Sequence, residues 1–265
     1  MRLSEPVVMG VLNVTPDSFS DGGRYFDPAV GVERALAMEA EGAALIDVGG
    51  ESTRPGAAVV PVDEELRRVL PVVRALARQC RGLISVDTSR PEVIEQAVDA
   101  GAAMINDVRA LRGRGALAAL ARSGAAACLM HMRGEPASMQ QSVQYADVVV
   151  EVRAMLAERL AACTAGGIAP ERLCVDPGFG FGKLTRHNLE LLRNLGELLD
   201  LDRPVLVGLS RKSLLRELTG RATGERLAGS VALATAAVLN GALIVRAHDV
   251  AATVDAVRVA AALRN

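Results

Sequence analysis

Aromatic residues are nearly missing from this chain of 265 residues, which has no tryptophan, two tyrosines and four phenylalanines. Because half of the residues are nonetheless hydrophobic, the core must be built from Ala, Val, Leu and Ile, which suits the layered interior of a barrel. No CxxC pair occurs among the four cysteines. This argues against a disulfide framework or a zinc site and predicts free thiols in a reducing compartment.

Charge of one sign and long hydrophobic runs are also lacking. The net charge is −1, so nothing favours binding to nucleic acid or to an acidic membrane. The longest apolar stretch, Val231–Val245, is interrupted by Thr235 and Asn240 and is too short to span a bilayer. No signal-peptide pattern precedes the first strand pattern. We therefore expect a soluble, cytoplasmic protein.

The chain does contain a repeated pattern: eight apolar, strand-like runs, each followed at once by a polar or ionisable residue. A helical pattern follows almost every run, which predicts a parallel sheet of the α/β class. Eight such units, with no GxGxxG after the first, favour a (β/α)8 TIM barrel in a single domain, residues 1–265, over a doubly wound sheet. The carboxyl ends of barrel strands form the mouth that holds the active site. The polar residues are Asn13, Asp47, Asp87, Asn106, His131, Asp176, Ser210 and Arg246.

Element bounds follow from the same patterns. The predicted strands are Val7–Leu12, Ala44–Ile46, Leu83–Val86, Ala103–Ile105, Ala125–Met130, Leu173–Val175, Val205–Leu209 and Leu243–Val245. The predicted helices are Pro28–Glu41, Asp63–Gln79, Pro91–Ala100, Gly115–Ser123, Ala146–Ala165, His187–Leu199, Lys212–Leu218 with Arg226–Asn240, and Val250–Leu263. Two long loops, Asn13–Asp27 and Gly49–Val62, lack either pattern, and loops of this length are usually functional.

All four phenylalanines lie in the loops after the first and sixth strands, where the core should not be. They are Phe19, Phe26, Phe179 and Phe181, with Tyr25 beside them. Chance is one explanation in a chain with so few aromatics. The other is that these flat side chains are kept for a flat ligand.

Three polar residues at the ends of central strands, Asp87, Asn106 and Asp176, can converge on the barrel axis. A carboxylate accepts hydrogen bonds and an amide both donates and accepts, so together they could recognise the edge of a heterocycle with an amino group beside a ring N–H. Each could instead cap the following helix. Three together favour the binding role.

The segment Asp176–Lys183 alternates glycine with phenylalanine. Its three glycines permit a positive φ or a close approach of the backbone, and the aromatic rings between them can stack on a ligand. The loop begins with an acidic residue at a strand end and ends with a lysine, which makes it more specific than an ordinary glycine-rich loop.

Two segments are typical of an anion site. Ser210–Ser213 begins a helix after the seventh strand, where backbone N–H groups favour an anion and barrels often bind phosphate. Arg246 and His248 share one face of the eighth strand and could clamp a diphosphate, although His248 could also cap a helix. His131 could form a polar wall or pack in the core, and His187 is expected at the surface without a role.

No nucleophile stands beside a histidine partner, and no HExxH or paired-histidine metal motif occurs. Catalysis would then depend on binding and on the placement of charge. Mg²⁺ could take part if substrate phosphates held it with few protein ligands.

In these motifs the chain resembles the dihydropteroate synthase family of the folate pathway, in order and over essentially its whole length. The segments that carry the resemblance are Met9–Asp21, Asp47–Gly56, Ser85–Thr88, Ile105–Val108, Leu129–Met132, Asp176–Lys183, Gly208–Ser213 and Arg246–Asp249. The first two are highly specific for that family, and no motif position departs from it.

The resemblance implies that 6-hydroxymethyl-7,8-dihydropterin diphosphate condenses with p-aminobenzoate to give 7,8-dihydropteroate and diphosphate. Family roles would then fall on residues that contact each substrate, with Asp87, Asp176, Lys212 and Arg246 as the catalytic ones. The pterin would bind to Asp87, Asn106, Asp176 and Lys212; the diphosphate to Asn13, through Mg²⁺, with Arg246 and His248; and p-aminobenzoate among Thr53, Arg54, Pro55, Phe181, Lys212 and Ser213. A homodimer and inhibition by sulfonamides are also implied.

Two alternatives remain open at this point. A methyltetrahydrofolate-dependent methyltransferase would share the pterin barrel but would not need the Arg246/His248 pair or the Ser210–Ser213 segment. A non-catalytic paralogue should have lost loop residues that are intact here in Asn13–Asp21 and Thr53–Gly56. Release of diphosphate from the two substrates would separate these possibilities.

Overall fold

The computed structural model of the chain describes residues 3–15, 27–52, 60–134, 139–140 and 143–264. In these ranges eight strands alternate with helices as the sequence predicts. The strands are β1 (Val7–Asn13), β2 (Leu45–Gly49), β3 (Leu83–Asp87), β4 (Met104–Asp107), β5 (Ala126–Met130), β6 (Leu173–Asp176), β7 (Leu206–Gly208) and β8 (Ile244–Ala247). The α-helices are α1 (Pro28–Ala40), α2 (Val62–Gln79), α3 (Pro91–Asp99), α4 (Ala116–Arg122), α5 (Val148–Ala165), α6 (Thr185–Arg193), α7 (Ser213–Thr219), α8 (Leu227–Leu239) and α9 (Val250–Arg264).

The strands form one parallel sheet in the order β6-β5-β4-β3-β2-β1-β8-β7. Its two edges meet where Val175 bridges to Val205 and donates its N–H to Pro204 O at 3.0 Å. The sheet therefore closes on itself, and the prediction of a single-domain (β/α)8 barrel is confirmed.

In every strand except β3, alternate residues belong to two separate hydrophobic clusters, as the period of two in a strand requires. Outward residues such as Val8, Ile46 and Ile105 pack against the helices in the main core. A smaller cluster fills the barrel from inside and consists of Met9, Leu45, Met104, Cys128, Cys174, Leu206 and Ile244. Neither cluster contains a large aromatic ring other than Phe179, and all four cysteines are free thiols, as predicted.

Several predicted bounds were wrong in an informative way. The strands do not stop before their polar residues: Asp47, Asn106 and Arg246 are the third residues of β2, β4 and β8. The predicted helix His187–Leu199 is two elements, because α6 ends at Arg193 and a 3-10 helix spans Leu195–Leu201. Glycine at position 196 disfavours a continuous α-helix there. None of the helices in the described ranges combines the length and the hydrophobicity that a membrane span requires.

Candidate functional site

Polar residues of the barrel mouth lie two positions beyond the inner hydrophobic cluster on their strands. Residues two apart on a strand face the same side, so these polar side chains point into the barrel above the apolar layer. The pairs are Leu45 and Asp47, Met104 and Asn106, Cys174 and Asp176, and Ile244 and Arg246. The strand pattern thus places an acidic and amide layer directly on an apolar floor.

A small pocket opens above this floor, and all four predicted pterin residues line it. Its polar lining residues are Asp87, Asn106, Asp176, Lys212 and Arg246. Its apolar lining residues are Val108, Met130, Phe179 and Phe181, with Gly178 and Gly208 completing the wall. An apolar cavity with a few convergent polar groups is the usual form of a small-molecule site.

One side of the cavity is organised by the guanidinium of Arg246. Its Nε donates to Asp47 Oδ2 at 2.6 Å and its Nη2 donates to Asp87 Oδ2 at 3.0 Å. Asn106 Nδ2 donates to the same Asp47 oxygen at 2.9 Å. Asp87 and Asn106 are therefore engaged across the barrel and do not cap helices; α3 has no side-chain cap at all.

Burial and the neighbouring charges together set the protonation states of Asp87 and Arg246. Burial raises the pKa of Asp87, the neighbouring Arg246 lowers it, and Asp47 raises it again. Burial alone would lower the pKa of Arg246, but Asp47 and Asp87 outweigh it, so that pKa is raised and the guanidinium stays charged. In the described part of the chain no group hydrogen-bonds to Asn106 Oδ1 or Asp47 Oδ1, although both atoms are buried. Orphaned acceptors of this kind suit a ligand that brings donors.

The opposite side of the cavity is formed by Asp176 and the loop that follows it. Asp176 Oδ1 accepts a hydrogen bond from Gly178 N at 2.7 Å. Burial raises the pKa of Asp176 to about 6, while Gly178 and Lys212 lower it. The loop glycines 178, 180 and 182 have φ of +68, +81 and +62°. The sequence prediction that these glycines permit positive φ is confirmed.

Lys212 faces Asp176 from the end of the loop after β7. Burial lowers the pKa of Lys212 to about 8, with Arg246 lowering it further and Asp176 raising it. Its Nζ lies 4.4 Å from the centre of the Phe181 ring, a cation–π distance. Phe181 in turn packs against Val108 and Met130. The ammonium and the ring thus form one wall that is both charged and flat.

The turn that carries Lys212 is held from α8. Arg211 has φ of +57°, which is unusual for a residue with a side chain. Its N–H donates to Ser230 Oγ at 3.0 Å, and Arg226 Nη1 donates to the carbonyls of Arg211 at 3.0 Å and Lys212 at 3.3 Å. An ion pair from Arg211 to Asp249 completes the support. The strained turn is therefore fixed by several independent contacts.

The residues predicted to hold diphosphate lie on neighbouring strand ends. Asn13 is the last residue of β1, and a Cβ placed on Gly49 would lie 3.7 Å from Asn13 Oδ1 and 3.6 Å from Asp87 Cβ. The Nδ1 atom of His248 is hydrogen-bonded to Ser210 Oγ at 3.1 Å. Burial and the nearby charge of Arg246 lower the pKa of His248 to about 4. Ser213 is the exposed first residue of α7. Thr53, Arg54, Pro55 and Phe19 lie outside the described residues.

Three sequence interpretations change with the structure. Phe179 is 1% exposed and belongs to the main core as well as the cavity wall, so not every phenylalanine is kept for a ligand. His187 is buried rather than at the surface. Its Nδ1 accepts a hydrogen bond from Leu184 N, and the ring of Tyr145 packs against it with 5.0 Å between the ring centres. His131 is buried with Nδ1 2.8 Å from Lys183 Nζ.

Two residues of the site had no predicted role. Asp47 was recognised only as a strand-end acid, yet its carboxylate joins Arg246 to Asn106. The strand pattern did contain a signal for Asp47. It lies two residues after the inward-facing Leu45, just as Asp176 lies two residues after the inward-facing Cys174. Lys183 was noted only as the end of a loop, and nothing in the local sequence indicates that its ammonium is buried.

Comparison with known proteins gives consistent matches over the whole chain. Residues 9–248 match the family described as pterin binding enzyme. A dihydropteroate synthase from Escherichia coli K12 is 53% identical over 259 residues, which cover 98% of this chain and 92% of the relative. Solved structures of Xanthomonas albilineans dihydropteroate synthase superpose with TM-scores of 0.94, with 4-aminobenzoic acid, and 0.91, with 7,8-dihydropteroate. They are 52% and 50% identical, and each match covers 100% of this chain and 95% of the other.

Proposed function

The chain belongs to the family of pterin-binding enzymes, and from this premise we propose that it catalyses the dihydropteroate synthase reaction. It is a transferase of folate biosynthesis that joins p-aminobenzoate to 6-hydroxymethyl-7,8-dihydropterin diphosphate. The observation that carries the proposal is the cavity itself, whose wall brings together two acids, Asp87 and Asp176, with Lys212 and Arg246.

The pterin is held by its donor-rich edge. Its 2-amino group and ring N–H present paired donors, and the carboxylate of Asp176 is the matching acceptor. Asn106 adds an amide whose Oδ1 has no partner within the described residues. The rings of Phe181 and the apolar side chains of Val108 and Met130 supply flat and apolar contact. Specificity comes from the buried acceptors, which a ligand without donors would leave unpaired.

The reaction proceeds by loss of diphosphate before the new bond forms. The bond between the exocyclic methylene and the diphosphate oxygen breaks, and the electron pair leaves with the diphosphate. Ionised Asp87 and Asp176 then stabilise the positive charge on the pterin in a site that excludes water. The neutral aryl amine attacks the methylene carbon, and the proton that its nitrogen then loses passes to the released diphosphate or to water. No protein nucleophile is required.

The leaving group lies at the β8 end of the cavity. Two edges of the Arg246 guanidinium are already occupied by Asp47 and Asp87, so its remaining N–H groups are the ones that meet the diphosphate. His248 stands beside Arg246 and can donate from its imidazole. Its lowered pKa means that the anion itself must favour its protonation.

Mg²⁺ is the metal that we propose for the diphosphate site. Asn13 offers an amide oxygen at the mouth, a ligand type that Mg²⁺ accepts, and the described ranges hold no group of three or more His, Cys, Asp or Glu side chains suited to a metal. Such a donor set suits an ion held mainly by substrate phosphates. When bound, Mg²⁺ would neutralise part of the charge on the diphosphate.

The aminobenzoate would lie against Phe181 and Lys212 near Ser213, with Thr53, Arg54 and Pro55 closing the site. The ammonium of Lys212 over the Phe181 ring supports this placement, because a benzoate presents both a carboxylate and a flat ring. The family resemblance also supports a homodimer, and exposed leucines such as Leu227 and Leu239 on α8 are compatible with one. Four free thiols support a cytoplasmic location.

Mixing both substrates with Mg²⁺ tests the function directly. We expect stoichiometric release of diphosphate and formation of dihydropteroate, and both should depend on p-aminobenzoate. Asp176→Asn replaces an acceptor by a donor and should weaken pterin binding by about 2–4 kcal/mol in calorimetry. Binding of the pterin without any release of diphosphate would instead indicate a non-catalytic paralogue.

A second experiment separates the leaving group from the pterin. Arg246→Ala would leave two buried acids unpaired and therefore disturbs both ligands, whereas His248 contacts only Ser210 among the described side-chain hydrogen bonds. His248→Ala should weaken binding of the pterin diphosphate and leave binding of the bare pterin within about twofold. Equal losses for both ligands would remove His248 from the diphosphate site.

A further inference from the structure

Lysine occurs at only two positions in this chain, Lys183 and Lys212; the other 28 of its 30 basic Lys and Arg residues are arginine. Arginine serves the surface ion pairs, for example Arg34 with Glu41. The lysine ammonium differs from a guanidinium in being compact, with three donors and no fixed plane, and it occurs at only two sites. Lys212 lines the cavity, and Lys183 lies behind the loop that forms its wall.

The ammonium of Lys183 is enclosed by acceptors. The residue is 3% exposed, and its Nζ donates to His131 Nδ1 at 2.8 Å, Gly178 O at 3.0 Å and Phe181 O at 3.1 Å. His131 O is a fourth and longer contact at 3.4 Å, so three donors meet four acceptors. When Lys183 is protonated it can only donate, and in that form His131 accepts at Nδ1 and carries its proton on Nε2.

The loop after β6 is wrapped round this ammonium. Its glycines adopt positive φ, and a Cβ on Gly178 would lie 1.9 Å from His131 O, while one on Gly182 would lie 2.5 Å from Arg133 O. The segment after β5 and the loop after β6 are therefore in direct backbone contact. Lys183 is one of the polar groups that join them, together with Gln140, whose Nε2 donates to Gly180 O at 2.7 Å.

The same loop residues that bind Lys183 on one side form the cavity on the other. Gly178 offers its carbonyl to Lys183 and its N–H to Asp176 at 2.7 Å. Phe181 offers its carbonyl to Lys183 and its ring to Lys212. The ammonium of Lys183 is therefore bonded both to the residue that holds the acid for one substrate and to the residue whose ring meets the other.

We propose that Lys183 is a positioning residue of the transferase, which shapes the loop from Gly178 to Phe181 so that Asp176 and Phe181 meet their substrates together. It touches neither substrate. The inference rests on the proposed function, because it assigns Asp176 to the pterin and Phe181 to the aminobenzoate.

The charges round Lys183 link it to the occupancy of the cavity. Burial lowers the pKa of Lys183 to about 7; Asp176 raises it, and Lys212 and Arg133 lower it. Burial and Lys183 hold the pKa of His131 near 2, so the imidazole remains a neutral acceptor. Tyr145 adds a neutral contact by donating its hydroxyl to Gly182 O at 3.0 Å. A ligand that pairs with Asp176 must therefore change the environment of Lys183.

Lys183→Gln tests the proposal against a matched control. Arg172→Gln removes a similar cationic contact at the opposite end of β6, where Arg172 donates to Ala125 O at 2.8 Å and Leu120 O at 3.0 Å. We expect Lys183→Gln to weaken pterin binding at least about tenfold and to raise the KM for p-aminobenzoate by a similar factor. Arg172→Gln should lower the Tm but leave both constants within about twofold. A Lys183→Gln enzyme with both constants within that range overturns the proposal.

The wild-type protein provides a second measurement, which remains valid if Lys183→Gln does not fold. Labelling with lysine carrying ¹³C at Cε gives two side-chain signals, which Lys212→Met or Lys183→Gln assigns. Saturation with 6-hydroxymethyl-7,8-dihydropterin should shift the Lys183 signal although the residue does not touch the ligand. A Lys183 signal that stays fixed while the Lys212 signal moves overturns the proposal. A wild-type protein that releases no diphosphate from its two substrates would instead remove the proposed function.

Discussion

Removing the carboxylate of Asp47 should disconnect the two polar residues that face each other across the barrel. Asp47 is fully buried, and one of its oxygens accepts from Arg246 at 2.6 Å and from Asn106 at 2.9 Å. In Asp47→Ala, Arg246 retains only Asp87, and the Asn106 amide loses its acceptor. The side chain reaches no solvent that could replace these bonds.

Breaking a buried ion pair costs roughly 3–5 kcal/mol. Since Asp87 still pairs with Arg246 at 3.0 Å, we expect the lower end of that range, about 3 kcal/mol of unfolding free energy. Urea denaturation monitored by circular dichroism measures it. Ser85→Ala is the matched control, because Ser85 is in register with Asp47 on β3, is equally buried, and has a hydroxyl with no partner among the described residues. It should change stability by less than about 0.5 kcal/mol.

Asp47→Asn keeps the shape of the side chain and removes its charge. The like charge of Asp47 raises the pKa of Asp87, so that pKa should fall in the variant. In the proposed mechanism ionised Asp87 stabilises the pterin cation, so activity should be lost as the pH drops through this pKa. The acid limb of kcat/KM should consequently move to lower pH. A limb that stays in place, or an Asp47→Ala protein as stable as Ser85→Ala, would refute the assigned role of Asp47.

Three further predictions follow from the same geometry. Gly178→Ala should destabilise the fold by more than about 2 kcal/mol in urea denaturation, because its φ is +68° and its Cβ would meet His131 O, whereas Gly196→Ala has open space and should be tolerated. His131 has a folded-state pKa of about 2 through burial and Lys183, far below its unfolded value near 6.5, so its neutral form stabilises the fold above pH 6.5 and that contribution is lost as the pH falls. His131→Asn should therefore lose less unfolding free energy than the wild type between pH 7.5 and pH 5, and an equal loss would contradict this reasoning. Finally, p-aminobenzoate should bind more than about tenfold tighter in calorimetry once pterin and Mg-diphosphate are present, as expected when a first ligand completes the second site; equal affinities would show a preformed site.

The strand pattern was enough to predict the barrel and the position of the polar residues at the carboxyl ends of its strands. A period of two says which residues share a face, and eight runs with intervening helices leave few other architectures. The adjacent residues Asn106 and Asp107 show how far this reaches. Asn106 faces the cavity, while Asp107 accepts from the backbone N–H groups of Arg109 and Leu111 and fixes the next turn. Alternation along the strand is sufficient to assign these two neighbours to opposite faces of the sheet.

The same reasoning could not predict which polar residues meet. The partners Asp47 and Arg246 are 199 residues apart, and they meet only because the barrel closes with β8 beside β1 and β1 beside β2. Lys183 is similar, since its acceptors come from the segment after β5 as well as from its own loop.

Local sequence patterns establish the alternation of strands and helices, the inward face of each strand and the types of side chain available at the mouth. These are local properties, because they depend on chain geometry over a few residues. The tertiary structure alone decided that Arg246 is held between two acids, that Lys183 is buried, and that the pKa values of Asp87, Asp176 and Lys212 are shifted. Desolvation and charge proximity exist only after distant strands have excluded water between them, and no local pattern contains them.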